Sequence, residues 1–144
     1  MAYCLNSDVQ NEFKSLAFNA ATVSTTKVDE WIEQASALMD TILGSQYVTP
    51  VTGTRALEVM KMICVWLVAD RVREVLQLLP GANAASQEFS RDYFRRANDF
   101  LESLRKGLIT LPDAVLAGGG SGGISSYVQE NGFQPVFQRD KEQW

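Results

Sequence analysis

Reactive side chains are few in this sequence, and their spacing limits the chemistry open to them. There is no histidine. That removes Ser–His and Cys–His nucleophile pairs and every imidazole-based metal site. The two cysteines, Cys4 and Cys64, are too few and too far apart in sequence for the usual structural zinc set, and they make no disulfide framework. Cys64 falls in the most apolar run of the chain, where a reduced, inert thiol is the expectation. Carboxylates could work as an acid–base pair, and Asp29, Glu30 and Glu33 form the densest set. Their place at the start of a helical pattern explains them better, because the N-terminal end of a helix dipole favours negative charge. The GGGSGG stretch at 118–123 lacks the Gly-Lys-Ser/Thr ending of a phosphate loop and follows no buried strand, so it reads as a linker. No enzyme activity, cofactor or metal is expected.

What remains is a set of elements, and one of them organises the rest. Residues 55–79, RALEVMKMICVWLVADRVREVLQLL, have no Gly or Pro and apolar steps of three and four. They fit one helix of about seven turns. From Met62 to Ala69 every residue is apolar, so this part must be covered on most sides. The run is far shorter than the ~20 apolar residues of a membrane span and reads as the buried centre of a bundle. Pro80 and Gly81 stop it.

Three further helices are expected around it. Ser7 with Gln10 matches a capping box, opening a short helix that buries Val9, Phe13 and Leu16. A second helix starts near Thr26 and buries Trp31, Ile32, Leu38 and Met39, with Gly44 as its C-terminal cap. Tyr47 and Val51 tuck into the edge of the core. The last runs from about Ser86 to Lys106, with Phe89, Tyr93, Phe94, Ala97, Phe100, Leu101 and Leu104 as its buried stripe, and Gly107 ends it. Trp31, Leu38, Ile63, Leu67 and Phe94 should be buried together. Residues 108–112 then run extended. The fold class is thus all-α: a small bundle of about four helices, one short and three long, with an extended C-terminal arm. The bundle covers residues 1–112, the Gly-rich linker 113–123 and the arm 124–144.

The chain has 144 residues, 46% hydrophobic and 21% charged, which is the balance of an ordinary globular domain. The start, MAYCLNSD, has neither a basic segment nor an apolar h-region, so no secretory signal and synthesis in a reducing cytoplasm are expected. The net charge of −4 is unevenly spread. Residues 1–54 carry six acids against two bases, while residues 55–112 carry nine bases against seven acids. Complementary faces of neighbouring copies could therefore meet. Asp29 and Glu33 on the second helix, and Arg91, Arg95 and Arg96 on the last, are the candidates for a subunit interface or a channel surface. The basic set also admits a plainly solvated face or a place near DNA, although a dedicated nucleic-acid binder would be basic overall.

Tyr127, Phe133, Phe137 and Trp144 in the arm cannot form a core of their own. With Arg139 and Asp140 to fix register, they are candidates for docking on a partner. Folding back on the bundle is the alternative.

The order of these patterns resembles the head–tail connector (adaptor, head-completion) proteins of tailed bacteriophages, in the branch of Mu-like phages. The residues that carry the resemblance are MAY at the start, WIEQASALMDTILGSQY leading to Pro50, the long apolar helix, DYFRRANDFLESLRKGLITLP and the late FQRDKEQW. The resemblance implies a structural virion protein of the neck, at the head–tail interface. It would form a homo-oligomeric ring, usually a dodecamer, beneath the portal protein, extend the DNA channel, and offer a platform to the tail or stopper protein. DNA would pass through without sequence-specific binding, and no membrane is involved. The alternatives are a nucleic-acid-binding DNA-packaging factor and a small helical regulatory or inhibitor protein.

Overall fold

The computed structural model describes residues 1–13, 17–78 and 92–118. Among them the chain is all-α, with α1 at Asn6–Glu12, α2 at Thr25–Leu43, α3 at Thr54–Gln77 and α4 at Tyr93–Arg105. Helix α3 packs against the other three, and α2 also touches α1 and α4. The apolar run explains this centrality. Met60, Ile63, Cys64, Val68, Ala69 and Val72 are wholly buried, while Arg55, Glu58, Met62, Arg71, Glu74 and Gln77 reach solvent.

The second helix buries Val28, Ile32, Ala35, Met39 and Leu43, at steps of four, three, four and four. Ser24 caps it, its Oγ accepting from the Lys27 amide at 3.3 Å. The stripe of α4 is Tyr93, Ala97, Leu101 and Leu104. Its C-terminal turn closes through Gly107 at φ +69°, a left-handed position that suits glycine, with the Leu108 amide donating to the Ser103 carbonyl at 2.9 Å. Tyr47 and Val51 are buried as expected.

Several details differ from the sequence expectation. Helix α1 begins at Asn6, so Ser7 lies inside it and is not its cap. The Asp8 carboxylate accepts from the Leu5 amide at 2.9 Å and pairs with Lys61 Nζ of α3 at 2.9 Å. A charged acceptor with a second partner outcompetes a serine hydroxyl. Burial pushes the Asp8 carboxyl up, but the hydrogen bonds from Lys61 and Leu5 outweigh it and hold the group below its usual range. Leu38 and Phe94 are not core residues, being 46% and 55% exposed, and Trp31 is half-buried. Leu38 sits roughly a quarter turn from the centre of the α2 stripe. Phe94 lies at the edge of the α4 stripe in its first turn. Ile63 and Leu67 are buried as expected. Asp92 has non-helical backbone angles, so no single helix runs from Ser86 to Lys106. Leu16, Phe89, Pro80 and Gly81 lie outside the described residues.

After α4 the chain folds back over the start of α3 rather than running simply extended. Leu111 is buried, and its amide donates to Tyr47 Oη at 3.0 Å. The Asp113 carboxylate then accepts from the amides of Arg55 and Ala56, at 3.1 and 3.2 Å. It caps α3 from more than fifty residues away in sequence, satisfying amides that have no partner within the helix. Gly53, just before α3, makes room for this clasp. It has φ +110°, and a Cβ there would stand 2.6 Å from the Asp113 carbonyl oxygen. Gly53→Ala should therefore cost about 2–4 kcal/mol, combining left-handed strain with a backbone clash. Asp113→Asn should cost about 1 kcal/mol, because the cap survives without its charge. Urea melts of the two variants check this, and a neutral Gly53→Ala would mean that the clasp is not formed.

Candidate assembly surfaces

Three features of the bundle surface and its rim bear on what the protein touches. The first is the ribbon that follows the clasp. Tyr47 and Leu116 form an isolated antiparallel bridge, the Val48 amide donates to the Val115 carbonyl at 2.8 Å, and the Ala117 amide to Gln46 at 2.9 Å. These bonds hold residues 111–117 to the bundle, on the far side of the expected boundary at 112. Val48, Val115 and Leu116 of this ribbon are exposed, as are Leu108 and Ile109 in the turn after α4. Exposed apolar side chains gathered in this way mark contact sites more often than isolated ones do. Sequence reasoning missed the ribbon. Its only local signal was a pair of short apolar runs, Tyr47-Val48 and Val115-Leu116, and their pairing is set by distant partners.

The second feature is the charged set. Arg95 is largely exposed and lies 3.9 Å from Asp92 and 3.8 Å from Asp99 on its own helix. Exposed pairs of this length contribute little. Arg96 is exposed and has no ion-pair partner among the described residues. Asp29 accepts from Asn6 Nδ2 at 3.0 Å, tying α1 to α2, and Glu33 is exposed. Within one chain no ion pair joins the acidic residues of α2 to Arg95 or Arg96. Arg91, Tyr127, Phe133, Phe137, Arg139, Asp140 and Trp144 lie outside the described residues.

The third feature is the anchorage of the N-terminal segment. The Tyr3 amide donates to Ser36 Oγ at 3.1 Å, its hydroxyl donates to the Asp40 carboxylate, and the same hydroxyl accepts from the Val51 amide at 2.8 Å. Beside it, Cys4 Sγ and Cys64 Sγ are 3.2 Å apart. Ser36, the one buried polar residue of α2, is explained by these contacts. Burial, followed by the hydrogen bond to Asp40, raises the pKa of Tyr3 above its ordinary value of 10.0. A phenol whose folded pKa is raised contributes stability in full below the unfolded pKa near 10, and this is lost as pH rises through the folded value. Urea midpoints should therefore fall above pH ~10. Tyr3→Phe should cost about 1–3 kcal/mol at pH 8 and flatten that alkaline decline. An equally steep decline in the variant would show that Tyr3 is not its source.

Other surfaces offer less. An open cleft between α1 and α3 is lined by Asp8, Asn11, Glu12, Glu58, Lys61 and Trp66, and the Asp8–Lys61 pair crosses its wall. Among the described residues no group of three or more Cys, Asp or Glu is placed to hold a metal ion. No helix among them is long and apolar enough to cross a membrane.

The family model described as bacteriophage Mu, Gp36 matches residues 3–117. The match begins at the anchoring tyrosine and ends on the last hydrogen-bonded residue of the ribbon, so it takes in the clasped bundle and leaves out residues 124–144. No curated protein matches the chain.

Proposed function

The chain belongs to the bacteriophage Mu Gp36 family, and from that premise we propose that it is a structural protein of the virion neck. It forms a ring beneath the portal, extends the DNA channel, and provides the platform on which the tail or stopper is seated. The observation that carries this reading is the apolar rim of Val48, Leu108, Ile109, Val115 and Leu116. The rim belongs to a rigidly clasped end of the bundle, next to the point where the chain leaves for residues 119–144. A bundle with an exposed apolar rim and an attached aromatic segment suits a part that is held between neighbours. Its role is positional, with no bond-making step assigned to it.

In the ring, α4 of one copy faces α2 of the next, so that Arg95 and Arg96 meet Asp29 and Glu33 across the interface. The exposed side chain of Arg96 and the long, weak pairs of Arg95 suit residues whose partners lie on another chain. The experiment is charge reversal. Arg95→Glu with Arg96→Glu should leave helix content and melting of the monomer unchanged. Ring formation, followed by native mass spectrometry and electron microscopy, should be lost or reduced more than about tenfold. Rings of normal yield from the double variant would remove these arginines from the interface.

A further inference from the structure

Cys4 and Cys64 are sixty residues apart in sequence and 3.2 Å apart at sulfur. Both are free and buried, Cys4 at 4% and Cys64 at 0% exposure. One lies in the N-terminal segment and the other at the middle of α3, so they belong to elements that nothing else joins covalently. Ser36 Oγ lies 3.7 Å from Cys64 Sγ and also accepts from the amide of Tyr3, the neighbour of Cys4. From this geometry we infer that Cys4 and Cys64 are a modification site: a dithiol that closes to an intramolecular disulfide when the protein meets a peroxide. The inference does not rest on the role in the neck.

The two sulfurs need to approach only from 3.2 Å to about 2.0 Å. The short segment 1–5 that carries Cys4 can follow the movement, whereas α3 stays fixed by its packing. Both sulfurs are buried, so peroxide reaches them through local opening of the N-terminal segment, which lies outside the four helices and can part without unfolding the bundle.

The surroundings also set the order of steps. Cys64 accepts a hydrogen bond from the Cys4 thiol, and this contact together with the nearby Ser36 hydroxyl pushes its pKa down against its burial. Cys4, as the hydrogen-bond donor and itself buried, is pushed up. With Cys4 as the donor of the Sγ–Sγ contact and Cys64 as its acceptor, Cys64 is assigned as the sulfur that attacks peroxide as a thiolate. Its sulfur takes one oxygen to become the sulfenic acid, and the other oxygen leaves as hydroxide, protonated to water. The Cys4 sulfur then displaces that hydroxyl, the S–S bond forms, and the Cys4 proton leaves with it as a second water. Two thiols and one hydrogen peroxide thus give one disulfide and two waters. The thiols are oxidised and the peroxide is reduced.

The bond would tie the N-terminal segment to the centre of the bundle and close a large loop, which stabilises chiefly by restricting the unfolded chain. The chemistry is independent of the proposed function; on that proposal the chain leaves a reducing cytosol at lysis, so the reduced form suits assembly and the oxidised form the released particle.

The test treats the full-length native protein with a small excess of hydrogen peroxide, quenches with catalase, and alkylates under denaturing conditions before intact-mass measurement. The expected product is a monomer lighter by two hydrogen masses that takes no alkyl group. It should regain both alkylation sites after phosphine reduction, and its thermal midpoint should lie several degrees above the reduced form. Closure in the native protein should be more than about tenfold faster than in urea, because the fold supplies the proximity. Cys4→Ser should give no such product. Overoxidised monomers, disulfide-linked dimers, or closure as fast in urea as in the native state would each overturn the inference. The comparison with urea uses the unaltered chain, so it stands even if Cys4→Ser folds poorly.

Discussion

Ile63→Ala should lower the unfolding free energy by about 2–5 kcal/mol, while Met62→Ala, one residue away, should change it by less than about 0.5 kcal/mol. The contrast follows from the position of α3 between the other helices. Ile63 is fully buried, and truncating it removes three carbons from a site with packed walls on every side. The lost transfer energy and the cavity left behind both count against the fold. Met62 points outward at 36% exposure, and its side chain can be replaced by water. Leu67→Ala, at the next turn, should behave like Ile63→Ala. Chemical melts of the three variants measure this directly. A loss below about half a kcal/mol at Ile63 would mean that α3 is not the centre of the bundle.

Removing residues 124–144 should have the opposite pattern: little effect on the fold and complete loss of attachment to DNA-filled heads. Among the described residues the core draws on the four helices, on Tyr3, Cys4, Phe18, Val23 and Val51 between them, and on the ribbon, which ends at Ala117. The clasp at Asp113, the bridge at Leu116 and the Tyr47 contacts all lie before the deleted segment. Helix content and urea midpoint should therefore stay within error. Attachment is expected to differ, because Tyr127, Phe133, Phe137 and Trp144 are the candidate docking anchors of the proposed arm, with Arg139 and Asp140 to fix register through charged hydrogen bonds. Head–tail joining in an extract that lacks the natural protein is the assay. Normal joining by the shortened chain, or unfolding of the bundle, would each show that the segment does not dock.

How much of this was legible in the sequence depends on how local each signal is. The stripe Val28, Ile32, Ala35, Met39, Leu43 declares itself by spacing alone, and the apolar run of α3 declares that it must be surrounded. The edges of the stripes were not legible. Whether Leu38 or Phe94 is covered depends on how the neighbouring helix is rotated, which no window of residues records. Asp8 took the capping role from Ser7 because Lys61 of α3 stands opposite it, a contact between distant segments. The same holds for Asp113 on α3, for the Tyr47–Leu116 bridge, and for Cys4 against Cys64. Gly53 could be read as a turn residue, but the reason for a glycine there is the Asp113 backbone that returns from the far end of the chain. The candidate interface residues of α2 and α4 are on the surface, as their charges suggested. Their partners on a second copy cannot be legible in one chain.

The central claim is that this protein sits as a ring in the neck of the virion, and electron cryo-microscopy of the intact head–tail junction tests it most directly. The account predicts a dodecameric layer immediately beneath the portal into which residues 1–117 fit as the clasped four-helix bundle, with α4 of each copy against α2 of its neighbour. Particles in which the neck density is filled by other proteins, with this chain absent from the virion or found in the shell or the tail tip, would contradict it.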